Sequence, residues 1–358
     1  MFFERLRMLD AKSGVEYVLT DYPKPGQTIE IAQGIHWLST PLPFRLRAVN
    51  LYLLEDDAGW VIVDFGYSND EVKAQWEQVW ASTLKGKPVT RLIATHFHPD
   101  HIGNAGWLSG RWNLPVMASR AEWLTANRLL GGPGVEDKER SRRFYLANGL
   151  SEDVVRGMEQ GYVPYSRGVS LAGAYEGLSD GDRLRIGGDG WRAIAGGGHS
   201  PEHLSLYCEE RGILIAGDQL LPEITPNVSV WPDEPEADAL GLFLRSLDRF
   251  RAELRPDTLV LPSHRRPFRG ALARIDEIRD HHRDRLDVIL EKAAEGPVTA
   301  GGILPFLFPQ HLDALQTMFA LGEALAHLNR LAAMGRLRRE AGDDGIVRFH
   351  AGVSSRGH

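Results

Sequence analysis

The chain is short of cysteine, of long apolar runs and of positive charge. A single thiol, Cys208, leaves no partner for an intrachain disulfide and rules out a metal site built from several thiolates. Any metal must therefore be held by nitrogen and oxygen donors. No uncharged apolar stretch reaches the roughly 18 residues that a membrane-spanning helix needs. The opening MFFERLRMLD carries charges at residues 4, 5, 7 and 10 and no apolar core, so it does not read as a secretory signal. A cytoplasmic, reducing location is expected. With 41 Lys and Arg against 48 Asp and Glu, the net charge of −7 argues against a surface devoted to nucleic acid or anionic membrane.

What is present suits a globular protein. Over 358 residues, 43% are hydrophobic and 25% charged, enough for one large domain and an appendage. From about residue 30 to 120 the signals are mostly strands: GIHWLST (34–40), AVNLYLLED (48–56) and GWVIVDFG (59–66) are short, β-branched or aromatic, and bounded by turn residues. Residues 70–84 then place Val72, Trp76, Val79 and Trp80 at helical spacing, with Asn69 or Asp70 as the cap. TRLIATH (90–96) is a buried strand, and LPVMAS (114–119) is the next. Strand, helix, strand, loop, helix, strand predicts an α/β layered fold.

Residues 120–168 differ, with helices predicted near 120–130, 137–148 and 151–160; they read as an insertion over one end of the core and a candidate substrate lid. Strands return between 169 and 217, a helix follows at 236–255, and TLVLPSH (258–264) is a last buried strand. From about 271 to 358 the tail holds helices at 271–294 and 312–335, then a hairpin turning at GDDG, a winged-helix-like module. The catalytic domain is thus expected to span 1–270.

The stretch THFHPDHIGN (95–104) puts His96, His98, Asp100 and His101 within six positions. His96 and His98, two apart, can face the same way off an extended segment, and Pro99 favours a turn after them. One loop can therefore serve two neighbouring ions. His199 in GGGHSPEHLSL, Asp218 in ILIAGDQLL and His264 in LVLPSHRRP each close or follow an apolar β-type run. A lone histidine at a strand end is more often a hydrogen-bonded structural residue than a ligand. Three imidazoles clustered with a carboxylate have an electrostatic cost that a metal would offset. Seven nitrogen and oxygen donors suit two divalent ions if Asp218 bridges them.

THFHPDH followed by GHSPEH, AGD and PSH resembles the signature of the metallo-β-lactamase superfamily, over about residues 30–270. The resemblance implies a four-layer αββα sandwich with the site at one edge of two packed sheets. It implies that His96, His98 and His199 hold one ion, that Asp100, His101 and His264 hold the other, and that Asp218 bridges. Asp64 in VIVDFG matches an aspartate that supports the metal loop by hydrogen bonding. His203 matches the second histidine of the HSPxH element, with a supporting role or a place in the pocket wall; capping the next strand is the plain alternative.

Two ions sharing an oxygen donor lower the pKa of water from 15.7 to about 7, so a bound hydroxide is the expected nucleophile. Asp100 is expected to orient it and pass its proton to the leaving group. The wording of HSPEHLSLY and AGDQLL is closest to the hydroxyacylglutathione hydrolase-like and lactonase-like branches, which favours a thioester, ester or lactone of a small molecule. Zinc is the first choice of metal, and iron or manganese suits the same donors. The rival is a nuclease, with Arg330, Arg336, Arg338, Arg339 and Arg348 of the tail touching phosphates. Against it, Glu340, Asp343 and Asp344 share that region, and nucleic acid is disfavoured. Tyr162, Tyr165 and Trp231 are the candidate substrate contacts, alongside Tyr145, Arg140, Arg142 and Arg143 of the insertion. The apolar tail helix can pack on its own core or on a second copy of the chain.

Overall fold

A computed structural model describes residues 14–43 and 46–352; the charged opening decapeptide lies outside the described residues. After a two-residue strand β1 (Glu16–Tyr17), the chain lays down β2 (Thr28–Ala32), β3 (Ile35–Pro41), β4 (Ala48–Asp56) and β5 (Gly59–Val63) as an antiparallel meander. A helix, Asp70–Ser82, then crosses to β6 (Val89–Ile93), which pairs parallel with β5. Strands β7 (Val116–Ala118) and β8 (Tyr175–Gly177) extend this sheet, again in parallel. The second sheet comes from β9 (Arg183–Ile186), β10 (Asp189–Gly196), β11 (His203–Cys208), β12 (Ile213–Gly217), β13 (Leu259–Pro262) and β14 (Phe268–Arg269), in the order β1-β14-β13-β12-β11-β10-β9. Within it β12 and β13 are parallel and the other pairs antiparallel.

Burial along β4 explains the layering. Successive side chains of a strand point to opposite faces. Leu51 and Leu53 join Trp76 and Val79 of helix Asp70–Ser82 in one core, whereas Tyr52 and Leu54 join Trp191, Leu204, Leu206 and Ile215 of the second sheet in another. A strand buried on both faces is an inner layer. That helix starts where the side chain of Asn69 accepts the Val72 N–H at 2.8 Å, so the cap is Asn69 and not Asp70. On the outer face of the second sheet, Ser246 accepts the Gly197 N–H at 3.0 Å and Glu253 pairs with Arg192 at 2.7 Å. The fold is a mixed α/β sandwich of two sheets between helices.

The chain forms two compact units. The first comprises the residues through Gly132 together with Pro164–Pro226 and Ser246–Ile275. The second comprises Pro133–Val163, Asn227–Arg245 and the residues from Asp276 onward. This differs from the division read off the sequence, in which 120–168 belonged to the catalytic domain and the tail stood alone. The reason lies in long-range packing. Helix Glu152–Gln160 packs on helix Ala314–Ala333, and the Gly301 N–H donates to the Asn148 carbonyl at 2.8 Å. Helices near 120–130, 137–148 and 151–160 are present as Arg120–Leu130, Val135–Ala147 and Glu152–Gln160. The second unit also holds a helix missed in the sequence, Ala300–Leu307, and the expected hairpin, β15 (Leu337–Ala341) and β16 (Val347–Ala351). No helix of the described residues is long and apolar enough to cross a membrane.

Candidate metal centre

The first unit gathers the histidines and aspartates singled out in the sequence at the ends of four strands. His96 and His98 follow β6 in an irregular, bent segment, and Pro99 opens a one-turn helix, Pro99–Ile102, that carries Asp100 and His101. His199 lies between β10 and β11, Asp218 directly after β12, and His264 directly after β13. Two groups result. In one, His96 Nε2 lies 2.9 Å from His98 Nδ1 and 3.3 Å from His199 Nε2, and His199 Nε2 lies 3.4 Å from Asp218 Oδ2. In the other, Asp100 Oδ2 lies 3.6 Å from His101 Nε2 and 3.4 Å from His264 Nε2. Asp218 Oδ1 reaches the same two nitrogens at 3.6 and 3.4 Å.

Apart from the 2.9 Å His96–His98 contact, these spacings are long for hydrogen bonds but close to a tetrahedron's edge, which is about 3.4 Å for ligands 2.0–2.1 Å from a central ion. His101 Nε2, His264 Nε2 and Asp218 Oδ1 are buried with no hydrogen-bond partner among the described residues. A polar atom buried without a partner is costly, so these donors fit a divalent ion.

The imidazoles are held from behind. Asp64 accepts from Thr95 N, Thr95 Oγ1 and His101 Nδ1, each at 2.8 Å. His264 Nδ1 donates to the Ala48 carbonyl at 3.0 Å. Both contacts fix the proton on Nδ1 and leave Nε2 with its lone pair facing the centre. Asp64 adopts φ +62°, a left-handed backbone that aspartate tolerates. His203 is fully buried at the first position of β11, and its Nε2 accepts the Asp218 N–H at 3.1 Å, so it touches the backbone of Asp218. Gly217 makes room for it, since a Cβ there would stand 2.3 Å from His203 Nε2. On the other side of His264, the Asn50 amide donates to the Pro262 and Arg265 carbonyls at 2.8 and 2.6 Å.

The charge distribution splits the site. Burial and the neighbouring imidazoles hold His96 well below the usual histidine range and His98 at about 3. Burial also disfavours charge on His101 and His264, but the facing aspartates outweigh it, lifting His101 well above the usual range and His264 to about 10. Burial likewise works against ionised Asp100 and Asp218, yet the same two histidines keep both carboxyls well below the usual carboxylate range. Charge is thus disfavoured on His96 and His98, whereas His101 and His264 favour protonation against the ionised Asp100 and Asp218, a preference that an ion bound at their Nε2 atoms would reverse.

The expected substrate contacts separate. Tyr165 is in the first unit, and its hydroxyl donates to the Phe97 carbonyl, between His96 and His98. Tyr162 and Trp231 belong to the second unit, Tyr162 half exposed and Trp231 edge-on to Phe319 at 5.9 Å. There Arg140 faces Asp137 and Asp233, and Arg142 faces Glu152 and Glu159. Cys208 closes β11 inside the core between the sheets. A residue missed in the sequence is Glu122, fully buried, whose carboxylate accepts from Phe97 N at 2.9 Å, Ser200 Oγ at 2.7 Å and Glu202 N at 2.6 Å. The signal was Ser119-Arg-Ala-Glu122, which has the spacing of a capping box. Ser119 does accept the Glu122 N–H at 3.3 Å, but the glutamate side chain is used elsewhere.

Residues 44–264 match the metallo-beta-lactamase superfamily, and residues 286–352 match a metallo-beta-lactamase-like C-terminal domain. A crystal structure of a beta-lactamase domain protein from Burkholderia ambifaria is 42% identical, covers 94% of this chain and 98% of its own, and superposes with a TM-score of 0.88. A metallo-beta-lactamase family protein from Thermus thermophilus is 30% identical, with 90% and 99% of the two chains covered and a TM-score of 0.75. "Probable metallo-hydrolase YqjP" of Bacillus subtilis is 25% identical over 313 residues, 83% of this chain and 91% of that protein.

Proposed function

Since the chain belongs to the metallo-beta-lactamase superfamily, we propose that it is a hydrolase of an ester-type bond, a thioester, ester or lactone of a small molecule, acting at a two-ion centre. The observation that carries the reading is Asp218, whose Oδ2 lies 3.4 Å from His199 and whose Oδ1 lies 3.4 Å from His264. His96, His98, His199 and Asp218 Oδ2 would hold one divalent ion; Asp100, His101, His264 and Asp218 Oδ1 would hold the other. Zinc is the first choice for such donors, and iron or manganese is compatible with them. Divalent ions bound there supply a water acidified to a pKa of about 7 and polarise a substrate carbonyl.

The chain's own residues do the rest. Asp100, ionised against His101 and His264, is the carboxylate that orients water, takes up its proton and returns it to the leaving group. His203 and Asp64 keep Asp218 and His101 aimed. Phe97 and Tyr165, with ring centres 6.4 Å apart, offer an apolar wall beside His98.

The preference for a small ester over nucleic acid rests on four of the tail's five candidate arginines, Arg336 being the fifth. Arg330 faces Asp238 at 3.0 Å and Arg339 faces Glu236 at 2.6 Å; Arg348 faces Asp344 at 2.6 Å, and Arg338 pairs with Glu340. Cations already paired offer little to phosphates. Among relatives, an acyl-carrier-protein thioesterase of Aspergillus aculeatus aligns over 212 residues, whereas an exodeoxyribonuclease of Bacillus anthracis aligns over 89. The test is metal analysis together with a panel of thioesters, lactones, aryl esters and labelled RNA. Turnover of RNA alone would reverse the reading, and a protein that retains no metal would end it.

A further inference from the structure

We infer that Glu122 is a positioning residue: its buried carboxylate fastens the His96–His98 segment to the turn after His199, and so sets the three-imidazole donor group. The inference rests on the two-ion reading above but concerns a residue that touches no donor atom.

The geometry is specific. Glu122 Oε2 accepts the N–H of Phe97, the residue that separates His96 from His98, at 2.9 Å. Its Oε1 accepts the Ser200 hydroxyl at 2.7 Å and the Glu202 N–H at 2.6 Å, one and three positions past His199. A single side chain on helix Arg120–Leu130 therefore spans the two segments whose imidazoles converge, from the ends of β6 and β10. The carbonyl of the same Phe97 is held by Tyr165, so that residue is pinned by side chains at both its N–H and its C=O. A rotation of the backbone at Phe97 would swing the imidazoles on either side of it.

A carboxylate is the right chemistry for the position. All three partners are donors, and an ionised carboxylate only accepts. An amide of the same shape accepts at one end only. Its nitrogen would press an N–H against the Phe97 N–H or against the Glu202 N–H, so glutamine frees one segment while filling the same volume. The residue lies in low-dielectric surroundings, where an N–H left facing another is costly. A plain helix-capping role is set aside by where the carboxylate points, because it leaves its own helix start to reach two other segments.

The experiment compares wild type, Glu122→Gln and Ser200→Ala, each loaded with zinc and titrated with a chelator, with the melting temperature of the metal-free protein recorded alongside. Glu122→Gln should weaken one of two ion-binding steps by about 10–100-fold, the usual effect of losing an outer partner of a ligand, and leave the other step in place. Ser200→Ala, which removes one of the three bonds and tolerates failure of the glutamine variant to fold, should weaken the same step by less. Wild-type affinity in both variants would overturn the inference. So would equal weakening of both steps in proportion to the loss of metal-free melting temperature, since that is what general destabilisation gives. A wild type that binds no zinc would instead remove the two-ion reading, and this inference with it.

Discussion

Replacing Asp64 by asparagine isolates the electrostatic part of the support behind His101. Asparagine has the same shape and also tolerates the left-handed backbone at φ +62°, so the change adds no backbone strain. Its oxygen can keep the Thr95 N–H, held at 2.8 Å in the wild type. Its nitrogen then faces Thr95 Oγ1 and His101 Nδ1. The threonine hydroxyl can turn and accept. The imidazole cannot do so without moving its proton to Nε2, which would aim an N–H, in place of a lone pair, at Asp100 and Asp218. The loss is about one charge-assisted hydrogen bond, 1.5–3 kcal/mol. At 1.4 kcal/mol per decade this is about 10- to 150-fold in affinity at the His101 group. Chelator titration of zinc-loaded protein should show one weakened step and one unchanged step, with His96, His98 and His199 as the unchanged group. Two steps at wild-type affinity in the asparagine variant would refute the tautomer argument.

Three other outcomes follow from the same geometry. Asp218→Asn replaces one of the two carboxylate oxygens that face the donor groups by an N–H donor, so one group loses its carboxylate and hydrolysis should fall by more than the about 100-fold that an outer partner costs; near-normal turnover would exclude a two-ion reaction. Gly103→Ala should destabilise by about 1–3 kcal/mol, read as a lowered melting temperature, because its Cβ would stand 2.3–2.6 Å from the Pro99, Gly66 and Gly168 carbonyls; an unchanged melt would mean that this turn yields easily. The second unit should lose stability as pH falls below about 6.5. His282 and His327 are buried with facing nitrogens at 3.1 Å; burial, with the neighbouring His327, His281 and Arg285, holds His282 far below the ordinary range, and burial with Arg285 holds His327 at about 3. Unfolding then takes up protons that the native pair refuses, so stability is full above the unfolded pKa and drops by up to about 1.4 kcal/mol per pH unit for His327 as pH falls toward about 3, with His282 adding a loss of the same sign. Urea unfolding of this unit with the same midpoint at pH 7 and pH 5 would contradict it.

The candidate donors could be brought together from the sequence because each follows a buried strand, and strands announce themselves through apolar runs closed by glycine or proline. His199, Asp218 and His264 needed no knowledge of pairing, only of where a strand ends. Helix positions around 70–160 were equally readable, since their apolar residues recur at helical spacing. What escaped was long-range. Nothing local in 133–163 says that its helix Glu152–Gln160 packs on Ala314–Ala333. Glu122 carries no local sign of its role, because its partners Phe97, Ser200 and Glu202 are far along the chain. The bond from the Tyr165 hydroxyl to a backbone carbonyl likewise leaves no trace in sequence.

The uneven spread of candidate donors along the chain has a consequence for how a metal would be acquired. His96, His98, Asp100 and His101 are made together, and the others arrive at residues 199, 218 and 264. A chain still lacking β12 and β13 already carries three imidazoles and a carboxylate on one short segment. Such a segment binds metal weakly without any fold, so free zinc stabilises unfolded chains as well as native ones and flattens the benefit expected from binding the native state alone. Refolding at increasing zinc should therefore first speed up and then slow, as ions caught early on the wrong set of ligands must be released before the late-pairing strands can close the centre.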